Sequence, residues 1–438
     1  MENLFSNGAK KSKLAKVAFV AAMVSAAALA LSGCAPAGSG GSTSETIKIG
    51  YVHPATGAYA GFTDGDPYML KVVREHYADG ITIGGKTYKV EILDRDSGSD
   101  PAKAGELAQQ LITQDKVDLL LSTSTPETTN PVIAQCEANQ VPCLSAIAPW
   151  QAVVFGGGFS AEKPMKWSHH FFFGIEGFGD TDPHAWDQIA TNKKVGVLWP
   201  NDADGQAFRD AKTGYAQLVK KYGYTVVDPG PFEDGNQDFT SIISKFKAAD
   251  VQIIAGVPIP PDFATFWTQA KQQGFTPKVA TVGKALFFPQ LVPSLPNNIG
   301  QGLAFGTWWG PTFPFKSSWD GTTPDQWIKN FEASPEGKGL IWNQATAENY
   351  AMFELVDAAL AKVTDPFNKA EVTKAFDSVN IMTLAGQIDF TGGPFPGIAT
   401  IPTVVGQWQI TNGKWEWVVV DNTNYPAVPV ARKLLPLK

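Results

Sequence analysis

The chain has 438 residues, more than one hydrophobic core usually serves, so two lobes or domains are expected. With 44% hydrophobic and 18% charged residues it has the composition of a globular protein, which excludes extended disorder. A net charge of −7 without a long basic run disfavours nucleic acid and anionic lipid surfaces as partners.

At the N-terminus Lys10, Lys11, Lys13 and Lys16 precede an apolar run from Val17 to Leu31, too short for a membrane span and suited to the core of a signal peptide. The run ends in Leu31-Ser32-Gly33-Cys34, which resembles the bacterial lipobox, where small residues admit a peptidase to the bond before a cysteine that becomes diacylated. Cys34 is then the lipidated mature N-terminus. An ordinary signal peptide with an incidental cysteine is the alternative. Ala35 to Ser44 is rich in Gly and Ser and should behave as a flexible tether. The expected order is a leader over 1–33, a tether over 34–45, and a folded body held outside the cytoplasm by the lipid.

From Ile47 onward short apolar strands alternate with amphipathic helices, which predicts an α/β fold with largely parallel sheets. Strands are expected over Ile47–Val52, Tyr88–Leu93, Val117–Leu121 and Val141–Ile147. Helices are expected over 102–114, where Asp100-Pro101 supplies an N-cap and first-turn proline, and over 129–139. Residues 149–180 read as an irregular aromatic stretch. The alternation then restarts, with strands over 194–199, 225–227, 251–257 and 278–282 and helices over 183–191, 207–222, 239–248 and 263–273. Helices follow over 324–331, 343–362 and 368–379. The tail is β-like, with Thr411-Asn-Gly-Lys414 as a hairpin turn.

Cys136 and Cys143, at a helix-to-strand turn, are expected to pair in an oxidising exterior; two small buried thiols are the alternative. A zinc site lacks further ligands at suitable spacing. Gly80 to Thr87 spells a Walker A motif, but an alternating strand follows it, so Gly84-Gly85 reads as a hairpin turn. Asp94 to Asp100 and Asn201 to Gly205 resemble calcium loops only superficially. The five histidines form no metalloprotease pattern, and no nucleophile elbow is present. No catalysis, metal or cofactor is expected.

Ile47-Lys-Ile-Gly-Tyr-Val-His-Pro-Ala-Thr-Gly57, Glu91-Ile-Leu-Asp-Arg-Asp-Ser-Gly-Ser-Asp-Pro-Ala102, Val141-Pro-Cys-Leu-Ser145, Lys194-Val-Gly-Val-Leu-Trp199 with Asp204-Gly205, and Gly386-Gln-Ile-Asp-Phe390 occur in this order. Together they resemble the leucine/isoleucine/valine-binding family of type I periplasmic binding proteins over nearly the whole mature chain. The resemblance implies two Rossmann-like lobes with parallel-sheet cores, joined by three hinge crossings near Phe171–Ile175, Gly302–Gly306 and Ala385–Phe390. The first lobe would comprise 46–171 with 303–385, and the second 172–302 with 386–438. It also implies a small-molecule solute in the interlobe cleft and an ABC permease as partner.

Carried across from the family, the first-lobe contacts fall on Tyr59, on the hydroxyls of Ser122, Thr123 and Ser124, and on Ser145, Ile147 and Trp150. Pro149 stands where the family has a residue that donates its N–H. The second-lobe contacts fall on Asp204, Val257, Pro258 and Lys284. A lysine cannot accept the ammonium of an amino acid, so a neutral or anionic solute fits at least as well. Trp150, Trp199, Trp308 and Trp309 are candidates for an aromatic wall. The resulting expectation is an extracytoplasmic solute-binding lipoprotein that feeds an ABC importer with an amino acid or a small carboxylate or amide, aromatic ones included. A sensor of the same fold is the alternative, and an extracellular hydrolase a more distant one.

Overall fold

The computed structural model describes residues 45–438. The leader, Cys34 and nearly all of the expected tether lie outside the described residues. Among the described residues no helix is long and apolar enough to cross a membrane.

Among the described residues sixteen strands form: β1 Thr46–His53, β2 Ile81–Ile83, β3 Lys86–Asp96, β4 Leu119–Ser122, β5 Cys143–Ala146, β6 Ser168–Phe171, β7 Lys194–Leu198, β8 Thr225–Val227, β9 Ile253–Gly256, β10 Val279–Val282, β11 Ala304–Thr307, β12 Asn380–Thr383, β13 Gly386–Asp389, β14 Ile398–Ala399, β15 Val404–Thr411 and β16 Lys414–Asp421. One seven-stranded sheet has the order β14-β6-β5-β4-β1-β3-β2 and the other the order β16-β15-β11-β10-β9-β7-β8. Within the first all pairings are parallel except β2 with β3, and in the second only β15 and β16 run antiparallel to their neighbours. The fold is α/β, as expected.

Local signals explain the element ends. Asp100 caps helix Pro101–Gln110 through Lys103 N at 2.9 Å, and Asn412-Gly413 turns the β15–β16 hairpin with both residues at positive φ, 52° and 77°. Gly84 and Gly85 turn β2 into β3 likewise, at φ 57° and 83°, where a phosphate loop would need a helix. The single helix expected over 207–222 is instead two, Ala203–Arg209 and Tyr215–Lys220. Asp210 breaks it, because its carboxylate accepts Lys212 N at 2.9 Å and Thr213 N at 2.7 Å and holds the chain in a turn. The stretch read as irregular contains β6, whose two histidines hid it.

The chain passes between the sheets three times, but strand membership moves two expected boundaries. β11 lies in the second sheet between β10 and β15, so the middle crossing follows Thr307 and does not fall at Gly302–Gly306. β14 is in the first sheet beside β6, and the last crossing therefore lies between Ala399 and Val404. β13 pairs only with β12, in a separate hairpin. Residues 386–399 thus do not join the second sheet as expected. The error arose because a two-residue strand carries no periodicity.

Cys136 and Cys143 come together at the helix-to-strand turn as free thiols, which corrects the expected disulfide. Both are buried in an apolar cluster with Val132, Ile133 and Val141 and serve there as small hydrophobes. Burial, and then the neighbouring Cys143, push the Cys136 thiol up well above its ordinary range.

Candidate functional site

The strand C-termini of an open α/β sheet leave a crevice where ligands bind. Here the ends of β4 and β5 face those of β9 and β10, and a cavity of ≈ 30 Å³ remains between them, lined by Phe62, Thr125, Ile147, Pro149, Phe172, Phe173, Phe178, Asp204, Val257, Lys284 and Phe287. That is room for about one water. The lobes touch around it: Phe62 meets Phe288 edge-on at 4.9 Å, and Ala203 N donates to Glu127 Oε1 at 3.2 Å. Admission of any larger solute therefore requires the lobes to separate, the hinge motion such folds permit.

Three wall residues hold left-handed backbone without being glycine: Thr125 at φ 57°, Ile147 at 64° and Lys284 at 55°. For β-branched residues this conformation is costly and persists only where the surroundings impose it, which happens most often at binding sites.

On the first-lobe side, β4 ends in Ser122, and Ser124 precedes the fifteen-residue helix Thr125–Asn139. The hydroxyls of Ser122, Thr123, Ser124 and Thr125 are all buried and, among the described residues, without a hydrogen-bond partner. Four orphan donors at a helix N-terminus make a receptor for an oxyanion.

On the second-lobe side, Lys284 Nζ bonds Asp204 Oδ2 at 2.7 Å and Asp202 Oδ2 at 3.0 Å. Asp202 uses its other oxygen to cap helix Ala203–Arg209 through Gly205 N at 2.7 Å. Glu127 reaches across from the first lobe, and its carboxylate, with those of Asp202 and Asp204, offers oxygens that all lie within 4.8 Å of one another. A metal reading of these three acids is answered by Lys284, whose ammonium already bonds two of them. Burial pushes Asp204 up to about 7, with Lys284 pulling against it and Asp202 and Glu127 adding to it. Burial opposes the charge of Lys284 too, but Asp204, Asp202 and Glu127 hold its pKa well above the ordinary value. One ammonium thus faces three carboxylates. Glu127 Oε2 and Asp204 Oδ1 remain buried and unpartnered among the described residues.

The structure sorts the expected residues. Ile147, Asp204, Val257 and Lys284 line the cavity, Ser122, Thr123 and Ser124 stand behind Thr125, and Tyr59, raised by burial and by Glu127, neighbours the acidic cluster. Ser145 is outside the lining, and its hydroxyl contacts His170 Nδ1 at 2.9 Å inside the sheet. His170 is itself held neutral, pushed down to about 4 by burial. Trp150 is turned away, with its N–H on Glu176 Oε1 at 2.8 Å and its ring stacked on Phe395. Pro258 is outside the lining. The aromatic wall is made by phenylalanines, and Trp308 stands behind Phe172, Phe173 and Phe287. Trp199 packs on Phe208, and Trp309 donates to Leu384 O at 2.9 Å. Glu127 is not among the residues the sequence points to, and Asp202 enters there only within the superficially calcium-like run Asn201 to Gly205. Glu127 lies ahead of the helix expected over 129–139, but Thr125-Pro126 starts that helix earlier and puts Glu127 in its first turn.

Two α/β lobes, three crossings and a closed interlobe cavity with polar groups on both sides define a two-lobed, cleft-type binding protein. The chain belongs to the periplasmic binding protein family, whose model matches residues 46–413. It is 24% identical over 236 residues to an amino acid binding protein of Pseudomonas aeruginosa, a match that covers 52% of this chain and 58% of that relative. In structure it is similar to a leucine-binding protein of Thermotoga maritima, with a TM-score of 0.67 and 19% identity over 86% of this chain and 99% of the other. A solute-binding protein of an ABC transporter from Rhodopseudomonas palustris, in complex with 3,4-dihydroxybenzoic acid, gives 0.69 and 17% over 88% and 99%. At these identities the structural likeness shows the fold alone.

Proposed function

We propose that the protein captures an amino acid with an apolar side chain in the interlobe cleft, outside the cytoplasm, and delivers it to an ABC importer. The observation that carries this reading is the unmatched polar inventory of the cleft. Buried polar groups are normally satisfied, yet here hydroxyl donors are orphaned on one side and carboxylate oxygens on the other. A zwitterion completes both sets, its carboxylate at Ser122 to Thr125 and its ammonium at Asp204 and Glu127. The phenylalanines would enclose its side chain. Lys284 taken alone argued against an ammonium; surrounded by three carboxylates, it leaves negative charge in excess.

An aromatic carboxylate is the second reading, favoured by the five phenylalanines of the wall and by the dihydroxybenzoate held by the Rhodopseudomonas relative. It would leave the carboxylates unpaired. Thermal unfolding with leucine, isoleucine, valine and phenylalanine, each beside its deaminated acid, and with 4-hydroxybenzoate separates the two. A ligand at about 100 times its Kd adds about 2.7 kcal/mol to the folded state. A shift of several degrees with one amino acid and none with its deaminated acid is expected. A shift with the benzoate and none with any amino acid overturns the zwitterion reading.

We further propose that Cys34 carries the lipid. Radiolabelled palmitate should enter the parent protein in a bacterial host and be absent from Cys34→Ser. Equal labelling of the two would exclude the anchor.

A further inference from the structure

A second cavity, ≈ 320 Å³, lies beside the β15–β16 hairpin and shares only Phe287 with the cleft lining. Its size falls within the range of small-molecule sites. The hairpin register sets Trp408 opposite Trp417, with Trp415 two residues along on the same face. Phe305 of β11 stands opposite Gly406 on that face. Gly406 has no side chain because the Trp417 indole lies over it; a Cβ there would sit 2.1 Å from Trp417 Nε1. Trp342 closes another side, edge-on to Trp417 at 6.5 Å.

The lining contains no ionisable side chain, and its one polar residue other than the indoles is Gln344, only 3% exposed. Gln344 Oε1 accepts from Trp308 N at 2.8 Å, Trp309 N at 3.3 Å and Thr307 Oγ1. Two of these donors are backbone N–H groups, so the oxygen must face them and the NH₂ is left at the other corner of the amide. Among the described residues Nε2 has no acceptor. The NH₂ is left open to the cavity, where an acceptor on a bound molecule can take its hydrogen bond. A carboxylate is a poor candidate, since no cation is present to offset its desolvation.

We propose that this cavity is a second small-molecule site, separate from the interlobe cleft, for a flat, neutral aromatic compound whose carbonyl oxygen accepts from Gln344 Nε2. The rings of Trp342, Trp415 and Trp417 supply its apolar walls, as edge and face contacts of aromatic pairs favour.

Calorimetric titration of the intact chain with 2-naphthamide, with naphthalene and 2-naphthoate as controls, tests the site. Gln344→Glu retains an oxygen for the three donors and replaces the free NH₂ by a second oxygen. It should weaken 2-naphthamide at least tenfold and leave naphthalene unchanged. Trp415→Ala, at a half-buried position, should weaken both at least tenfold. In the parent 2-naphthoate should bind less tightly than the amide. Unchanged affinity for 2-naphthamide in both variants, or no binding to the parent at about 1 mM, a limit of about 4 kcal/mol, overturns the proposal. A crystal of the parent grown with 2-naphthamide decides the matter if a variant fails to fold. Density between Trp342 and Trp415 supports the site. Density only in the cleft, or a neighbouring copy's side chain filling the cavity, rejects it.

Discussion

Replacing Lys284 with methionine should lower the unfolding free energy at pH 7 by about 3–5 kcal/mol, the usual cost of removing one partner from a buried ion pair. Lys284 is 5% exposed, and the side chains of its partners Asp202 and Asp204 are 8% and 5% exposed. Without the ammonium, three carboxylates face one another in a site with room for about one water. The only relief is protonation. Asp204, already pushed up to about 7 by burial in the parent, should then hold its proton to higher pH in the folded variant. The deficit should therefore shrink as pH falls from 7 to 5, where Asp204 is neutral in the fold. Urea unfolding at the two pH values checks the magnitude and the sign. The double variant Lys284→Met, Asp204→Asn should recover part of the loss at pH 7. A Lys284→Met protein as stable as the parent at pH 7 would show that the lysine does not hold the cluster together.

The second large effect concerns helix Ala345–Leu360, which is buried on nearly every side and carries two acids inward. Glu354 ties the helix to its surroundings, accepting Ser318 N and Oγ and Leu384 N, and burial still pushes it up to about 7. Glu348 is fully buried, neither of its carboxylate oxygens has a partner among the described residues, and burial pushes it up to about 8. The Trp308 N–H offsets part of this without reaching hydrogen-bond geometry. Glu348 is therefore a neutral acid in the folded protein at pH 7. Below the ordinary glutamate value of 4.5 both folded and unfolded chains hold its proton, and burial exacts no ionisation penalty. Between 4.5 and about 8 only the unfolded chain ionises, so stability falls by about 1.4 kcal/mol per pH unit for this one group. Above about 8 the loss is complete. Glu348→Gln removes this slope while keeping the shape of the side chain. Between pH 5.5 and 7.5 the parent should lose roughly 2–3 kcal/mol more than the variant. Parallel pH profiles for the two proteins would show that Glu348 ionises freely in the fold.

Much of the architecture was legible because its signals are local. The Asp100-Pro101 cap, the Asn412-Gly413 turn and the runs Lys194–Leu198 and Ile253–Gly256 require only neighbours in sequence to declare themselves. Elements that depend on distant partners were misplaced. β6 is a strand because β5 and β14 flank it, and its Ser-His-His-Phe sequence carries no strand pattern. β11 resembles a hinge in sequence because Gly302 precedes it and Gly306 lies within it. Gly306 instead makes room for Phe178, whose ring would lie 2.2 Å from a Cβ at that position.

The site divides in the same way. The order of residues alone carries the family, the α/β lobes and the loops that approach the cleft, since strand ends and caps recur at readable spacings. It also singled out Asp204 and Lys284, but it could not determine what they mean. A charge takes its meaning from the charges within a few ångströms, and those come from Asp202 on the same loop and Glu127 on the opposite lobe. It takes the folded chain to show that Lys284 is outnumbered by carboxylates, that Ser145 and Trp150 bond elsewhere, and that phenylalanines form the wall. Coulomb energy and burial depend on distance in space: folding of the second lobe brings positions 204 and 284 together, and position 127 joins them only when the lobes close.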